Sequence, residues 1–301
     1  MKILLFGSTG QLGRELQTLL SSTNETHALS SSQLDLQDLQ KLKKIIVEIK
    51  PQLIVNASAY TAVDRAEQES ELALRINAEA PAVMAESAKQ INAAFIHYST
   101  DYVFDGKKNT PYTENDLINP LNVYGKSKLK GEQAISQVGG AFVILRTSWV
   151  YSLQGDNFVT KILSWARQKK SMQIVTDQIG NPTWARALAQ VTTALIEQSK
   201  PDIEKYFLLK SGIYHLGGRG SVSRFDFAQA ILRLDTTGEH GAKKLIPALT
   251  PDFFTPAVRP LATALDCSKF ENVFGLQLPN WEESLNDAMA GWVHSTTQAE
   301  S

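Results

Sequence analysis

The sequence predicts an α/β fold, a Rossmann-type doubly wound parallel sheet with a smaller interleaved substrate-binding lobe. Three observations predict it. Short apolar runs alternate with longer amphipathic stretches through the first half of the 301-residue chain, and a glycine-rich turn lies between the first such pair. The second half is less regular. Alternation of this kind builds a parallel sheet with right-handed crossovers.

Periodicity assigns each element of the first half. The predicted strands cover residues 3–6, 26–29, 53–57, 94–98 and 142–145. The predicted helices cover residues 11–21, 39–49, 71–91 and 124–135. Pro51 marks the end of the second helix, and Pro81 is expected to kink or split the third, because proline removes a backbone donor inside a helix. Each helix therefore connects two strands that follow one another in the sequence.

The second half supplies the smaller lobe. Its predicted helices cover residues 158–167, 185–197, 224–234 and 281–292, and a Pro- and Thr-rich segment covers residues 247–260. We expect a dinucleotide-binding domain at 1–150, joined by parts of 175–215. The substrate-binding lobe is expected at 151–174 and 218–292.

Composition excludes several classes of protein. Apolar residues make up 43% of the chain, and the net charge is −1, so no broad basic surface predicts binding to nucleic acid or to an anionic membrane. Cys267 is the only cysteine, which fits a reducing compartment and predicts a cytoplasmic protein. The apolar start ends at Gly7, too early for a secretion signal, and no run approaches the roughly 20 apolar residues of a membrane span. The histidines show no metal-ligand spacing, so no metal site is expected.

The glycine-rich turn, GSTGQLG, covers residues 7–13 directly after the first predicted strand. Glycines allow a tight turn and close approach to a pyrophosphate, and the following helix N-terminus supplies amide donors. The motif alone is weak, and a plain strand-to-helix turn is the alternative, but its position favours dinucleotide binding. The candidate cofactor-binding residues here are Gly7, Gly10, Gln11, Leu12 and Gly13.

The end of the second strand leaves the cofactor open between NADPH and NADH. An acidic residue about 20 positions after the turn often binds the NAD ribose. Here Ser30 begins a run of three serines, with neither an acid nor a base. Asp35 and Leu36 follow and suit the adenine side of a pocket.

Tyr124 and Lys128 are four residues apart, so on a helix they share one face. A neighbouring ammonium lowers the pKa of a phenol towards neutrality, so Tyr124 could donate a proton to a carbonyl oxygen while hydride reaches the carbon. The spacing is not specific, because Tyr206 and Lys210 repeat it, and Tyr206 is expected to be structural. Thr100, directly after the fourth strand, is expected at the ligand-binding edge of the sheet.

Motifs along nearly the whole chain carry a family resemblance. They are the glycine-rich turn at 6–13, VNASAYTAVD at 55–64, STDYVFDG at 99–106, NP at 119–120, YGKSK at 124–128, RTSWVY at 146–151, DQIGNPT at 177–183 and VRP at 258–260. The chain resembles the dTDP-4-dehydrorhamnose reductase family, within the extended short-chain dehydrogenase/reductase superfamily.

The resemblance implies an activity and a set of site residues. It implies NADPH- or NADH-dependent reduction of dTDP-4-dehydro-β-L-rhamnose to dTDP-L-rhamnose, the final step in making the rhamnose donor for cell-surface polysaccharide. The implied catalytic residues are Thr100, Tyr124 and Lys128. The implied cofactor residues include Ala59, Tyr60, Thr61 and Tyr98, and the implied sugar neighbours are Thr100, Asp101, Tyr102 and Trp149.

Two residues, Trp149 and Arg259, each have two possible roles. Trp149 could be a core residue rather than a sugar contact. Arg259 could bind the substrate diphosphate with its forked donors or pair with a carboxylate of the protein.

Some members of the family are thought to bridge two subunits through a metal held by glutamates. Glu15 is present here, but Arg186 replaces an acid, which argues against a metal-bridged dimer. A monomer or a homodimer of another kind is expected.

Two other functions remain open at this point. Relatives without catalytic activity bind NADP and regulate a methionine adenosyltransferase, although the intact Thr100, Tyr124 and Lys128 favour an enzyme. Epimerases and dehydratases for sugar nucleotides share the superfamily, and dehydratases carry an acid after the threonine, where this chain has Asp101.

Overall fold

A computed structural model describes residues 1–236 and 244–299. The strands are β1 (Lys2–Phe6), β2 (Glu25–Leu29), β3 (Leu53–Asn56), β4 (Ala94–Thr100), β5 (Phe142–Thr147), β6 (Val150–Tyr151), β7 (Ser171–Val175), β8 (Ile179–Gly180), β9 (Thr183–Trp184), β10 (Gly212–His215), β11 (Val222–Ser223) and β12 (Lys244–Ala248). The helices are α1 (Gln11–Ser21), α2 (Leu39–Ile49), α3 (Val63–Ala66), α4 (Ser70–Leu74), α5 (Ala80–Gln90), α6 (Val123–Val138), α7 (Phe158–Gln168), α8 (Ala185–Gln198), α9 (Ile203–Leu209), α10 (Arg224–Leu234), α11 (Ser268–Phe274) and α12 (Trp281–Ala299).

The central sheet confirms the predicted fold class. Among the described residues it has six parallel strands in the order β10-β5-β4-β3-β1-β2. Strand β1 shows why both faces are covered by helices. Its residues alternate between two cores, with Ile3 and Leu5 in one and Leu4 and Phe6 in the other. A strand that is apolar on both faces must be buried on both, which is the pattern of a parallel sheet.

A separate apolar core holds the second lobe. It joins β6, α7, β7, α10 and the start of α12 around buried side chains such as Ile162, Phe227 and Trp281. Two-stranded pairings, β7 with β12, β6 with β9 and β8 with β11, complete this half. Helix α8 packs instead on α1 and on the core of the central sheet.

Some elements differ from the sequence-based expectation. The stretch at 71–91 is divided into α4, a π-helical turn at Arg75–Glu79 and α5, and Pro81 lies in the first turn of α5. Proline is tolerated there because first-turn amides lack a partner in the helix. Strands β7 and β12 were not predicted, since their short two-stranded pairing leaves little periodic signal. Helix α12 extends beyond the predicted residue 292.

The strand order creates the crevice in which the site lies. From β1 the chain moves outward to β2 and then returns across β1 to β3, so connections from β1 and β3 diverge at the carboxyl edge of the sheet. Ligands of open α/β sheets bind at such a reversal of strand order. Gly7 follows β1 and Ala57 follows β3, so both chain exits lie at this point.

Two kinds of feature, a membrane-spanning helix and a metal-ion cluster, are absent from the described residues. No helix within 1–236 and 244–299 has both the length and the apolarity to cross a membrane. In the same part of the chain, no group of three or more His, Cys, Asp or Glu side chains is arranged to hold a metal ion.

A buried ion pair connects α6 to the central sheet. The guanidinium of Arg146, on β5, donates from Nε to Oε1 of Glu132 at 2.9 Å and from Nη2 to Oε2 at 2.6 Å. Both side chains are 1% exposed, and the guanidinium lies over the ring of Phe104. Glu132 is one helical turn beyond Lys128, so this pair fixes the part of α6 that carries the candidate site.

Replacing Arg146 with methionine should lower the free energy of unfolding by about 3–5 kcal/mol, because Glu132 would stay buried without a cation. The double variant Arg146→Met/Glu132→Gln should recover part of that loss. Urea unfolding followed by far-ultraviolet circular dichroism measures both. Lys44→Met is the control, since Lys44 pairs with Glu48 at the surface, and little change is expected there. Equal losses in Arg146→Met and Lys44→Met would contradict the assigned role.

Candidate active site

One large cavity, with a volume of about 1140 Å³, opens at the carboxyl edge of the central sheet and extends to the second lobe. Most of the residues singled out by sequence line it. These are Gly7, Gly10, Gln11, Leu12, Ser30, Asp35, Leu36, Ala59, Thr61, Tyr98, Thr100, Asp101, Tyr102, Tyr124, Lys128 and Trp149. Residues far apart in the sequence therefore meet in one space.

Three of the singled-out residues do not line the cavity. Gly13 lies under the glycine-rich turn, where a Cβ atom would come within 1.9 Å of the Gly7 carbonyl oxygen. Tyr60 exchanges backbone hydrogen bonds with the side chain of Asn77, and its hydroxyl donates to Glu69. Arg259 forms a bidentate pair with Asp64, Nη1 to Oδ1 at 3.0 Å and Nη2 to Oδ2 at 2.7 Å. The carboxylate alternative for Arg259 is thus the arrangement seen.

The glycine-rich turn is shaped to accept a phosphate group. Gly7 has φ of +82°, and a Cβ atom there would lie 2.7 Å from the amide nitrogen of Ser58. Gly10 is the N-cap of α1 and has no side chain with which to satisfy the first helical amides. Those amides and the helix dipole are available to an anion. The turn therefore fits a pyrophosphate.

The far end of the cavity suits a ribose and a base. Leu29, the last residue of β2, accepts hydrogen bonds from the amides of Gly7 and Ser8 at 3.0 and 3.2 Å. This holds the end of β2 against the turn. The Ser30 hydroxyl donates to Oε1 of Gln33 at 2.9 Å. Ser30 and Ser31 line the cavity with neutral hydroxyl groups.

Two buried hydroxyl groups bear on whether the cavity fits a dinucleotide. Ser99 Oγ and Thr147 Oγ1 have no hydrogen-bond partner among the described residues, and both residues line the cavity. They lie at the ends of the adjacent strands β4 and β5. Because buried polar atoms are normally hydrogen-bonded, both hydroxyl groups point to a polar ligand. Together with the turn, the residues present fit a nicotinamide dinucleotide.

Tyr124, in the first turn of α6, meets Thr100 at the end of β4. Removal from water raises the pKa of Tyr124, and a hydrogen bond with Thr100 lowers it in part. The raised pKa is opposite to the direction that the Tyr124–Lys128 spacing suggested. The reason is that burial disfavours the phenolate. At neutral pH Tyr124 therefore keeps its proton and is suited to act as an acid.

Lys128 is almost completely buried beneath Tyr124. Its Nζ donates to the carbonyl oxygen of Tyr98 at 2.6 Å and lies 3.1 Å from Nε2 of His97. Burial lowers the pKa of Lys128 to about 8, and the charge of Glu132 opposes that shift. The amine can therefore change its charge near physiological pH.

Asp101 is a buried carboxylate fixed by three hydroxyl groups. Oδ1 accepts from Thr100 at 3.1 Å, and Oδ2 accepts from Ser148 at 2.9 Å and from Thr263. Burial raises the pKa of Asp101, and these hydroxyl groups lower it in part. Both oxygens are already engaged, so the side chain holds the end of β4 in place.

Trp149 forms the wall between the two lobes. Its φ is +45°, a left-handed conformation that is strained for a bulky residue. A Cβ atom on Gly180 would lie 2.6 Å from Cε2 of this ring, so Gly180 gives the indole its space. Backbone strain of this kind occurs most often at functional sites.

Arg224, at the start of α10, is a site residue that sequence analysis missed. Its guanidinium stacks 3.5 Å from the ring centroid of Trp149 and 4.7 Å from that of Phe158, and it lines the cavity. The guanidinium makes no hydrogen bond or ion pair with residues 1–236 or 244–299, whereas the backbone N–H of Arg224 donates to the carbonyl oxygen of Gln178 at 3.0 Å. Removal from water lowers its pKa to about 10, so it remains a cation at neutral pH. Both rings are distant from Arg224 in the sequence, so no local motif marks this arginine.

The second tyrosine–lysine pair lies elsewhere. Lys210 Nζ donates to the Tyr206 hydroxyl at 3.0 Å and sits over its ring at 4.3 Å. Neither residue lines the cavity, and the ammonium also donates to the carbonyl oxygen of Val273. This pair ties α9 to α11, as expected for a structural role.

Comparisons with known proteins agree on one family. A family model described as "RmlD substrate binding domain" matches residues 1–293. A dTDP-4-dehydrorhamnose reductase from Burkholderia thailandensis is 39% identical over 93% of this chain and 95% of that protein. A dTDP-4-dehydrorhamnose reductase structure from Clostridium acetobutylicum has a TM-score of 0.88 at 35% identity, covering 96% of this chain and 99% of that one. The Bacillus anthracis enzyme, crystallised with NADP, has a TM-score of 0.87 at 32% identity, with the same coverage.

Replacing Gly7 with alanine should weaken NADPH and NADH binding by about tenfold or more, since the new Cβ would collide with the Ser58 amide and the positive φ would be strained. Fluorescence titration with each dinucleotide measures the dissociation constants. Gly275→Ala is the matched control, because Gly275 also has a positive φ but nothing lies within 4 Å of its added Cβ. Unchanged affinity in Gly7→Ala would remove the turn from the cofactor site.

Proposed function

The chain belongs to the dTDP-4-dehydrorhamnose reductase family, and we propose that it reduces the C4 ketone of dTDP-4-dehydro-β-L-rhamnose to dTDP-L-rhamnose with NADPH or NADH. This is the last step of dTDP-rhamnose biosynthesis. The observation that carries the proposal is the meeting of Thr100, Tyr124 and Lys128 in the same cavity as the glycine-rich turn. The cavity volume of about 1140 Å³ is above the roughly 300–1,000 Å³ of an ordinary small-ligand pocket.

The catalytic residues divide the work on the ketone. When bound, the reduced nicotinamide supplies the hydride that reaches C4 of the sugar. Tyr124 donates its proton to the oxygen as charge develops there, and its raised pKa keeps that proton available. Thr100 orients the same oxygen. The product alcohol gains one hydride and one proton, and Lys128 stabilises the phenolate left behind.

The position of Arg224 supports a binding site for the substrate diphosphate beside its guanidinium. A guanidinium held flat on two aromatic rings presents its edge donors to a ligand, and diphosphate oxygens match that fork. Trp149, beneath it, would then lie beside the sugar. Asp101 and Tyr102 are proposed as further neighbours of the sugar. A role for Arg259 at the substrate would require release of Asp64, and it stays a prediction.

The separate apolar cores of the two lobes support a division of labour between them. We propose residues 1–150 and parts of 175–215 as the dinucleotide-binding domain, and 151–174 with 218–292 as the substrate-binding lobe. The proposed location is the cytoplasm. The proposed assembly is a monomer or a homodimer without a bridging metal, since Arg186 is a cation, which repels a divalent metal, at a position where a metal-bridged dimer would need an acid.

The alternatives have less support. A dehydratase would need Asp101 as a free acid, whereas both of its oxygens are engaged by hydroxyl groups. A regulatory subunit for methionine adenosyltransferase would not need Thr100, Tyr124 and Lys128 together in a cavity.

The deciding experiment follows absorbance at 340 nm with NADPH or NADH and the dTDP-4-keto sugar, generated in situ with its 3,5-epimerase. Cofactor oxidation that depends on sugar and epimerase would establish the reaction; its absence with a folded, dinucleotide-binding protein would refute it.

Replacing Tyr124 with phenylalanine should lower turnover by about 10²–10⁴-fold, because the proton donor is lost while the packing is kept. Affinity for NADPH and NADH should change little. Tyr206→Phe is the control, since Tyr206 has the same spacing to a lysine outside the cavity. Steady-state kinetics and dinucleotide titration measure the two effects. Equal turnover in the two variants would exclude Tyr124 as the acid.

Replacing Arg224 with glutamine should raise the KM for the sugar nucleotide by about 10- to 100-fold, the loss expected for hydrogen bonds to a charged group. Dinucleotide affinity should be retained, because the glycine-rich turn is untouched. Arg233→Gln on the same helix is the control, since Arg233 is exposed and does not line the cavity. An unchanged KM in Arg224→Gln would place the diphosphate elsewhere.

A further inference from the structure

A buried polar chain lies behind the Tyr124–Lys128 pair and joins three elements. It runs from Lys128 in α6 through His97 in β4 to Asn56 at the end of β3. The three side chains are 1%, 0% and 0% exposed. Nδ2 of Asn56 lies 3.0 Å from Nδ1 of His97, and Nε2 of His97 lies 3.1 Å from Nζ of Lys128. The direction of each hydrogen bond along this chain can be worked out from one end.

The orientation of Asn56 is fixed by the backbone. The amide N–H of Ser58 donates to Oδ1 of Asn56 at 3.0 Å. A backbone amide can only donate, so the oxygen of the Asn56 side chain must face Ser58 and its NH₂ group must face His97. The NH₂ group also only donates. Nδ1 of His97 is therefore the acceptor, and a neutral imidazole must carry its proton on Nε2.

The proton on Nε2 of His97 points at Lys128. An ammonium has three donors and no acceptor, whereas a neutral amine has a lone pair that can accept. The Nζ atom can accept from His97 and still donate to the carbonyl oxygen of Tyr98 at 2.6 Å. Every hydrogen bond in the chain is made only if Lys128 is uncharged. Protonated Lys128 would force the His97 proton to Nδ1, where it would face the Asn56 NH₂ group and one bond would be lost.

We propose that His97, oriented by Asn56, selects the uncharged amine of Lys128 in the free protein and so sets the pH at which Lys128 gains its proton. His97 is a positioning residue in this proposal, because it acts through Lys128 and does not line the cavity. Asn56 fixes the imidazole tautomer, and Ser58 fixes Asn56 by donating to Oδ1 from both its backbone N–H at 3.0 Å and its hydroxyl at 2.5 Å.

The groups around the chain agree with this assignment. Burial holds the pKa of His97 well below its usual range, so the ring stays neutral. Burial also lowers the pKa of Lys128. On α6, Glu132 favours the ammonium, but it is engaged by Arg146 of β5. Of the remaining ionisable neighbours, Tyr124 keeps its proton, and so does Tyr98, whose hydroxyl pairs with Thr192.

The consequence for turnover rests on the proposed function. Lys128 must carry its proton to stabilise the phenolate that Tyr124 leaves when it protonates the sugar oxygen. A group with a lowered pKa gains its proton only below that pKa, so activity should fall as pH rises through the titration of Lys128. This fall is the alkaline limb of the pH–activity profile. Releasing Lys128 from His97 should move the alkaline limb to higher pH.

Two substitutions change the hydrogen-bond direction without removing the polar chain. In His97→Gln, the side-chain amide can turn its oxygen towards Lys128 and accept from the ammonium. In Asn56→Asp, the carboxylate accepts from Nδ1–H of His97, which frees Nε2 to accept from Lys128. Both should raise the pKa of Lys128 by about one unit or more, towards the ordinary lysine value of 10.5. His27→Gln is the matched control, because it makes the same change at a half-exposed histidine that pairs with Glu25 instead of Lys128, and it should leave the titration unchanged.

The test titrates lysine ¹³Cε signals by NMR in the full-length protein, with the Lys128 signal identified by its loss in Lys128→Met. The ¹⁵N shifts of His97 report which ring nitrogen carries the proton. The proposal expects Nε2–H in the unmodified protein and a raised Lys128 midpoint in both variants. A proton on Nδ1, or a Lys128 midpoint that is the same in the unmodified protein, His97→Gln and Asn56→Asp, would overturn it.

The kinetic arm separates this proposal from the proposed function. The alkaline limb of kcat/KM should move by the same interval as the NMR midpoint in each variant. The NMR titration needs no substrate, so an inactive protein that shows the expected NMR shifts would refute the reductase assignment and still support the control of Lys128 by His97. A moved limb with an unmoved Lys128 midpoint would overturn the assignment of that control.

Discussion

The return of the chain across β1 is the constraint on which the rest of the structure depends. It forces the exits of β1 and β3 apart at the carboxyl edge of the sheet and leaves a crevice between them. The close approach of Gly7 to Ser58 bounds that crevice. The same Ser58 orients Asn56, and through Asn56 the chain reaches His97 and Lys128. The fit of a pyrophosphate and the proposed control of Lys128 protonation thus involve the same junction of two strands.

Burial determines the chemistry of each side chain at this crevice. Removal from water raises the pKa of Tyr124 and lowers those of Lys128 and Arg224. Each shift favours the uncharged form, as expected for groups taken out of a high dielectric. The consequences differ because the ordinary pKa values differ. Tyr124 stays an acid and Arg224 stays a cation, while Lys128 is brought near the pH at which it can exchange a proton.

The sequence was sufficient for the fold class and for most of the residues that line the cavity, and insufficient for their geometry. Glycine spacing after a short apolar run predicts the turn, because glycine is the residue that such a backbone requires. By contrast, Arg224 gave only a weak signal, since its role depends on Trp149 and Phe158 from distant segments. The pairing of Arg259 with Asp64 is equally a matter of tertiary contact. The local sequence predicts well where the backbone requires a particular residue, and it predicts poorly which charged group an arginine will pair with.

The two tyrosine–lysine pairs share a spacing and differ in the contacts of the lysine. Tyr124–Lys128 and Tyr206–Lys210 have the same spacing, and in the second pair the lysine bonds the phenol directly. That pair is partly exposed, and its ammonium is used to hold two helices together. In the first pair the lysine is withdrawn from the phenol to a carbonyl oxygen and an imidazole inside the protein. A direct bond stabilises a structure, whereas a lysine held back by a buried chain keeps its charge adjustable. The difference between the structural pair and the proposed catalytic pair therefore lies in what holds the lysine, and a motif of two residues does not record it.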